Sequence, residues 1–192
     1  MNNDRDVFGA TPPMLSRRSF MILGAAASTS PALFTTPAEA ALHGHVERSV
    51  ALHNIHTGES LKATYWVQGK YQPATLRQIN HLLRDHHSGT VHVMDPRVID
   101  LVCALQHKFG GKKPFQVISG YRSPGTNAWM HAHSDGVAQH SLHMEGKAID
   151  IRLEGTSIGT LGKAARSMRA GGVGQYPESG FVHVDVGRVR HW

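Results

Sequence analysis

Apolar and polar residues alternate along positions 49–55 and again along 60–67, with His56-Thr57-Gly58-Glu59 between them. Period-two alternation on both sides of a polar turn predicts a β-hairpin, with Leu61, Ala63 and Tyr65 on one face. The period then lengthens: Leu76, Ile79, Leu82 and Leu83 recur at helical spacing over 74–86. A second helix is predicted to open at Asp95-Pro96, where Asp can cap and Pro suits the first turn. It carries Ile99, Val102, Leu105 and Phe109 and stops at Gly110-Gly111.

The pattern shortens again in the second half. Residues 115–119 form an apolar strand that runs into the loop Gly120-Tyr121-Arg122-Ser123-Pro124, and a brief helix is expected over 126–133. Alternation along 147–153 sends Ile149, Ile151 and Leu153 toward a core and turns Ala148, Asp150 and Arg152 to the opposite face. Thr156 or Ser157 caps a predicted helix reaching Ala170, ended by Gly171-Gly172. A last strand over 181–186 puts His183 and Asp185 on one face. The expected fold is α+β, an antiparallel sheet with helices packed on one side.

The first forty residues read as an address. Arg17-Arg18 stands directly before the apolar run 20–27, which continues more weakly to Phe34, and Ala38-Glu39-Ala40 offers a cleavage site before Ala41. A basic region, a short apolar region and an A-x-A site make a signal peptide, and paired arginines point to the twin-arginine export machinery of bacteria. The run is shorter than the ~20 residues a membrane span needs, so no stable membrane anchor is expected. Residues 41–192 then form one domain located in the periplasm. Cys103 is the lone cysteine, which excludes an internal disulfide and suits a small buried residue in its apolar helix.

The chain carries 20 Lys+Arg against 14 Asp+Glu, a net charge of +6. Removing residues 1–40 takes three of each and leaves that excess in place. A basic exported protein suits a carboxylate-rich polymer such as the cell wall. The basic residues are scattered and do not interleave with aromatics, so no nucleic-acid partner is expected.

His143, Asp150 and His183 carry the candidate chemistry. Two imidazoles and one carboxylate can hold a zinc ion and leave its fourth position open, the arrangement of catalytic zinc. Met144-Glu145-Gly146 lets the chain reverse so that Asp150 approaches His143, and the small Ala148 leaves space on the same face. With fifteen histidines present, no pair alone would select these; order and context do. His140 lies close in sequence, and Trp129, Tyr176 and Trp192 are either cavity walls or ordinary aromatic packing.

These motifs carry a resemblance. S-x-H-x-x-G-x-A-x-D (Ser141 to Asp150), preceded by SGYRSPGTN and followed by FVHVDVG and GRVRHW, resembles the M15-type D-alanyl-D-alanine peptidase superfamily. Within it the motifs look most like the twin-arginine-exported murein endopeptidases of the YcbK type, in order from about Asp95 to Trp192. The resemblance implies a zinc hydrolase acting on the peptide cross-links of peptidoglycan, on the fold shared by the hedgehog domain and the DD-peptidases. It implies His143, Asp150 and His183 as zinc ligands. Arg122 would reach into the cleft to meet a substrate carboxylate or the oxyanion. Ser141 and His140 are candidates to line the substrate site, with Ser141 equally suited to bonding near His143 or capping the turn.

One element departs from the family pattern. Many relatives place a glutamate three residues before the last ligand, and here that position is Gly180. Asp185 is the first candidate for the general base, or else a hydrogen-bond partner of His183, and Glu178 is the second candidate. Two other activities suit the same ligands: a D-Ala-D-Ala carboxypeptidase, and a zinc-containing wall-binding module without catalysis.

Overall fold

Every alternating segment becomes a strand in the computed structural model, which describes residues 36–134 and 137–192. In chain order the elements are helix α1 (Pro37–Leu42), strands β1 (Glu47–Asn54), β2 (Ser60–Val67) and β3 (Lys70–Tyr71), and helices α2 (Pro73–Leu82) and α3 (Pro96–Lys108). Then come β4 (Phe115–Ser119), α4 (Pro124–His133), a 3-10 turn at Leu142–Glu145, β5 (Ala148–Arg152) and α5 (Ile158–Met168). Strands β6 (Gly172–Tyr176), β7 (Phe181–Asp185) and β8 (Arg190–His191) complete the order.

The helix starts follow local chemistry. Asp95 accepts the Arg97 amide at 3.0 Å, Ser123 the Thr126 amide at 3.2 Å and Ser157 the Thr160 amide at 3.2 Å. Each cap satisfies an amide that the helix leaves unpaired, worth ~1 kcal/mol. Two helices end earlier than the spacing suggests. α2 stops at Leu82, because Asp85 accepts the amides of His87 and Ser88 and folds the following residues into a turn. α5 stops at Met168, where Arg169 takes the left-handed conformation at φ 50°.

The described strands form one sheet in the order β3-β2-β1-β4-β5-β7-β6-β8. The wholly antiparallel sheet expected from the sequence needs correction, since β1 runs parallel to β4 and β6 parallel to β8. The first exception has a simple cause. α2 and α3 lie between β1's hairpin and β4, and such a crossover returns the chain in the same direction.

One face of the sheet builds the core. Leu52, Phe115, Ile149, Ile151, Val182 and Val184 pack with residues of α1, α2, α3 and α5 in a single cluster. Each such buried apolar side chain contributes ~2 kcal/mol of transfer free energy. α4 adds nothing to this cluster; its Thr126 and Met130 border a cavity that Asp150 and His183 also line. Helices on one side therefore describes four of the five α-helices among the described residues. Cys103 is buried and its thiol donates to the Ser49 carbonyl at 3.2 Å.

The expected signal segment up to residue 35 lies outside the described residues. The expected cut between Ala40 and Ala41 falls inside α1, whose Ala38 and Leu42 are buried. No helix among the described residues is long and apolar enough to cross a membrane.

Candidate metal centre

Antiparallel pairing of β5 with β7 sets Asp150 directly opposite His183 and Ala148 opposite Asp185. Because Ile149, Ile151, Val182 and Val184 face the core, all four of these residues project from the other face of the sheet. β4 adds to that face through an irregularity. Ser119, not Ile118, pairs with Asp150, and the register shift after Val117 brings both Ile118 and Ser119 to the cavity.

His143 arrives from the 3-10 turn. Ser141 caps that turn by accepting the His143 amide at 3.4 Å, and Gly146 closes it at φ 66°. The ring is then fixed from outside: its Nδ1–H donates to the Gly120 carbonyl at 2.7 Å. Gly120 has to be glycine, because a Cβ there would press into the backbone of Leu83 at the end of α2. His143 Nε2 is left facing inward, 3.2 Å from Asp150 Oδ1 and 3.1 Å from His183 Nδ1.

His183 is held in the mirror sense. Its Nε2–H donates to Asp185 Oδ2 at 3.1 Å, and its Nδ1 lies 2.8 Å from Asp150 Oδ1. Asp185 is completely buried and fully engaged. Its Oδ1 also accepts the amides of Gly172 and Gly187 at 2.9 and 2.8 Å, and Arg190 donates to both oxygens. Burial alone would raise the Asp185 carboxyl, but the bonds from His183, Arg190 and the two amides hold it well below the usual carboxylate range.

The atoms that converge are thus His143 Nε2, His183 Nδ1 and an oxygen of Asp150, on three buried residues and all within 4.8 Å of one another. Both imidazole protons point outward, so three lone-pair acceptors face one another. Such a centre is repulsive unless a positive charge sits in it. A proton on His183 can serve: burial opposes it, but the bonds to Asp150 and Asp185 push the His183 pKa up to about 9. Burial likewise opposes the charge on Asp150, yet His143 and His183 hold it well below the usual carboxylate range. A divalent cation fits the same place. Ligand atoms on a tetrahedral zinc ion stand ~3.3 Å apart, a few tenths of an ångström more than the separations here.

Arg122 reaches the centre from the loop after β4. It is buried, with Nη2 3.8 Å from Asp150 Oδ2 and 3.5 Å from Ser119, and Nη1 3.3 Å from Asn127. Burial lowers its pKa, and Asp150 and Asp85 offset part of that. A cavity of about 650 Å³ stands over these groups. Ser141 and the exposed His140 line it. Glu178 is exposed and is not among the lining residues, although Tyr176 and Ser179 on either side of it are.

Several partners carry no signal in the sequence. The Gly120 carbonyl is a backbone group, and nothing about Arg190 in GRVRHW announces its two hydrogen bonds to Asp185. The histidines 56, 86 and 87 gather on the cavity wall, with His56 and His86 stacked at 3.9 Å.

Two imidazoles, each oriented from behind by a hydrogen bond, converge with a carboxylate on one cavity, a possible donor set for a metal ion. The family model for the peptidoglycan L,D-endopeptidase MepK matches residues 43–192. The MepK proteins of Escherichia coli K12 and Shigella flexneri are each 44% identical over 177 residues, 92% of this chain and 97% of the relative. A probable peptidoglycan L,D-endopeptidase MepK from Haemophilus influenzae is 41% identical over 146 residues, 76% of this chain and 78% of its own length. The chain belongs to the M15-type murein endopeptidase family, and it is an enzyme of the peptidase class.

Proposed function

We propose that this protein is a zinc-dependent periplasmic endopeptidase that hydrolyses the L,D peptide cross-links of peptidoglycan, those joining two diaminopimelates. One observation carries the reading: three inward-facing acceptors, on His143, Asp150 and His183, meet at the foot of a cavity. The relatives' L,D specificity, over nearly their whole length, selects the bond. Zinc held there supplies Lewis acidity, which polarises a peptide carbonyl and makes water a stronger acid near neutral pH. The basic charge of the chain suits a polymer rich in carboxylates.

The chain's own residues divide the remaining work. Arg122, buried beside Asp150, presents a planar donor fork to a substrate carboxylate or to the oxyanion of the tetrahedral intermediate. Ser141 shapes the turn that delivers His143. Asp185 is a positioning residue in this reading. It contacts the outward nitrogen of His183, and both its oxygens are already taken, so it fixes which nitrogen faces inward. Proton transfer falls to the cavity wall. Among the described histidines there, His140 alone has neither a hydrogen bond nor a ring contact, so its ring is free for the water or the leaving amine.

Purified protein incubated with L,D-cross-linked muropeptide dimers should convert them to monomers, stop with EDTA and resume with zinc. Dimers left intact by fully zinc-loaded protein would refute the reading. Release of free D-alanine from pentapeptides instead would make it a carboxypeptidase.

A further inference from the structure

The cavity wall beside His183 is held more firmly than a surface aromatic needs. Trp192 is 50% exposed and lines the cavity, with its ring 5.4 Å from the His183 imidazole. An exposed indole ordinarily samples several rotamers, but this one is fixed from several directions. Its Nε1–H donates to the Tyr176 hydroxyl at 2.8 Å. The Arg190 guanidinium sits 5.0 Å from its ring centroid. Its backbone is hydrogen-bonded to Val173 and Gln175 of β6. The ring also lies so close over Gly174 that a Cβ there would come within 2.6 Å of it. Tyr176 is stacked in turn on Phe181 at 4.6 Å.

A rigid, half-exposed aromatic face beside a reaction centre can bind apolar substrate with little loss of side-chain entropy. Its one polar atom is already satisfied by Tyr176 and the Arg190 guanidinium already sits against the ring, so what the face offers a ligand is chiefly apolar contact. What touches it must lie within about a residue of the bond held at His183. In an L,D cross-link both flanking residues are diaminopimelate, whose unbranched methylene chain is the longest apolar stretch near the scissile bond. The glycan is several residues away along the stem peptide. We propose that Trp192 is a specificity-determining platform for the methylene chain of a diaminopimelate residue. This inference rests on the reading that the site cuts L,D cross-links.

Three indole signals are available in a proton–nitrogen NMR spectrum of the zinc-loaded full-length protein, and Trp192→Phe identifies the one that matters. The probes are L-Ala-D-Glu-meso-diaminopimelate, the same tripeptide with alanine in third place, and the peptide-free disaccharide of the glycan strand. The Trp192 indole signal should move with the diaminopimelate peptide and stay in place with the other two. On cross-linked dimers, Trp192→Ala should raise KM about tenfold and kcat should change much less, with Trp192→Phe restoring most of the loss. Tyr176→Phe, which frees the indole, should raise KM about threefold.

An indole signal that ignores the diaminopimelate peptide, or answers equally to the alanine peptide or the disaccharide, overturns the proposal. So does an unchanged KM in Trp192→Ala. The titration needs no cleavage. A protein that binds the peptide at Trp192 and leaves L,D dimers uncut refutes the functional reading while supporting the platform.

Discussion

Asp100 and Asp150 differ in how the donors and acceptors around each carboxylate balance. Asp100, on α3, accepts from Arg48 at 2.9 Å, from the Tyr65 hydroxyl at 2.8 Å and from the Tyr71 hydroxyl. Burial, chiefly, pushes both phenols far up, so they remain donors at any physiological pH. That carboxylate is amply supplied with donors, to the point that the buried Arg48 Nε beside it has no hydrogen-bond partner among the described residues. At Asp150 the two histidines spend their outward protons on the Gly120 carbonyl and Asp185, and the inward side is left with acceptors alone. The two places also differ in burial: Asp150, His143 and His183 are buried, whereas Asp100 is half-buried and Tyr71 exposed. A shortage of donors, rather than the presence of charge, marks the place where a cation belongs.

Removing the shared inward acceptor should have the largest effect. Asp150→Ala should bind no zinc and lose at least ~10³-fold in dimer cleavage while keeping its circular dichroism spectrum. Metal analysis beside the activity assay checks it, and retained zinc would mean that Asp150 is not a ligand. His140→Ala should lower kcat by ~10²-fold with zinc content unchanged, the size of a lost proton-transfer group. Unchanged kcat would move that role elsewhere on the wall.

Asp185→Asn keeps shape but weakens the bond that orients His183. Zinc affinity, read by competition with a chelating dye, should fall by ~10–100-fold. Asp100→Asn is the counterpart at the donor-rich carboxylate. It should cost ~2 kcal/mol in urea unfolding and leave zinc affinity and kcat as they were. A loss of zinc there would erase the distinction between the two centres.

The smallest effect is a difference in pH dependence. In metal-free protein the folded His183 pKa is raised from 6.5 to about 9, so its stabilisation is complete below 6.5 and disappears as pH rises through about 9. The Asp150 pKa is lowered from 3.8, so its contribution is present above that value and disappears as pH falls beneath it. Thermal midpoints of chelated protein should therefore be highest between those limits and decline on the alkaline side. Zinc-loaded protein should lack the alkaline decline up to pH 9, because the ion takes the proton's place. Parallel curves would contradict this exchange.

How much of this is visible in the sequence depends on where the information resides. Strands β5 and β7 are legible because one buried face and one polar face force alternation, which also shows that His183 and Asp185 share a side. α3 is legible through Asp95-Pro96 and its apolar spacing. β6 is not, because GVGQY lacks the β-branched density of a strand. Its glycines answer to neighbours far along the chain: Gly172 lies against Asp185 and Arg190, and Gly174 against Trp192. The parallel pairing of β1 with β4 is equally hidden, since alternation fixes faces but not partners. At the centre, the candidate ligand types can be read, but their orientation cannot. It is set by the Gly120 carbonyl and by Asp185, and only the folded chain shows that both oxygens of Asp185 are already hydrogen-bonded.

The most direct test is to strip the protein with a chelator, restore one equivalent of zinc, crystallise it and record diffraction at the zinc absorption edge. The account predicts one anomalous peak per chain, bonded to His143 Nε2, His183 Nδ1 and Asp150, with cleavage of L,D dimers returning in the same sample. A peak elsewhere, such as among His56, His86 and His87, or cleavage undiminished in the stripped protein, would contradict it.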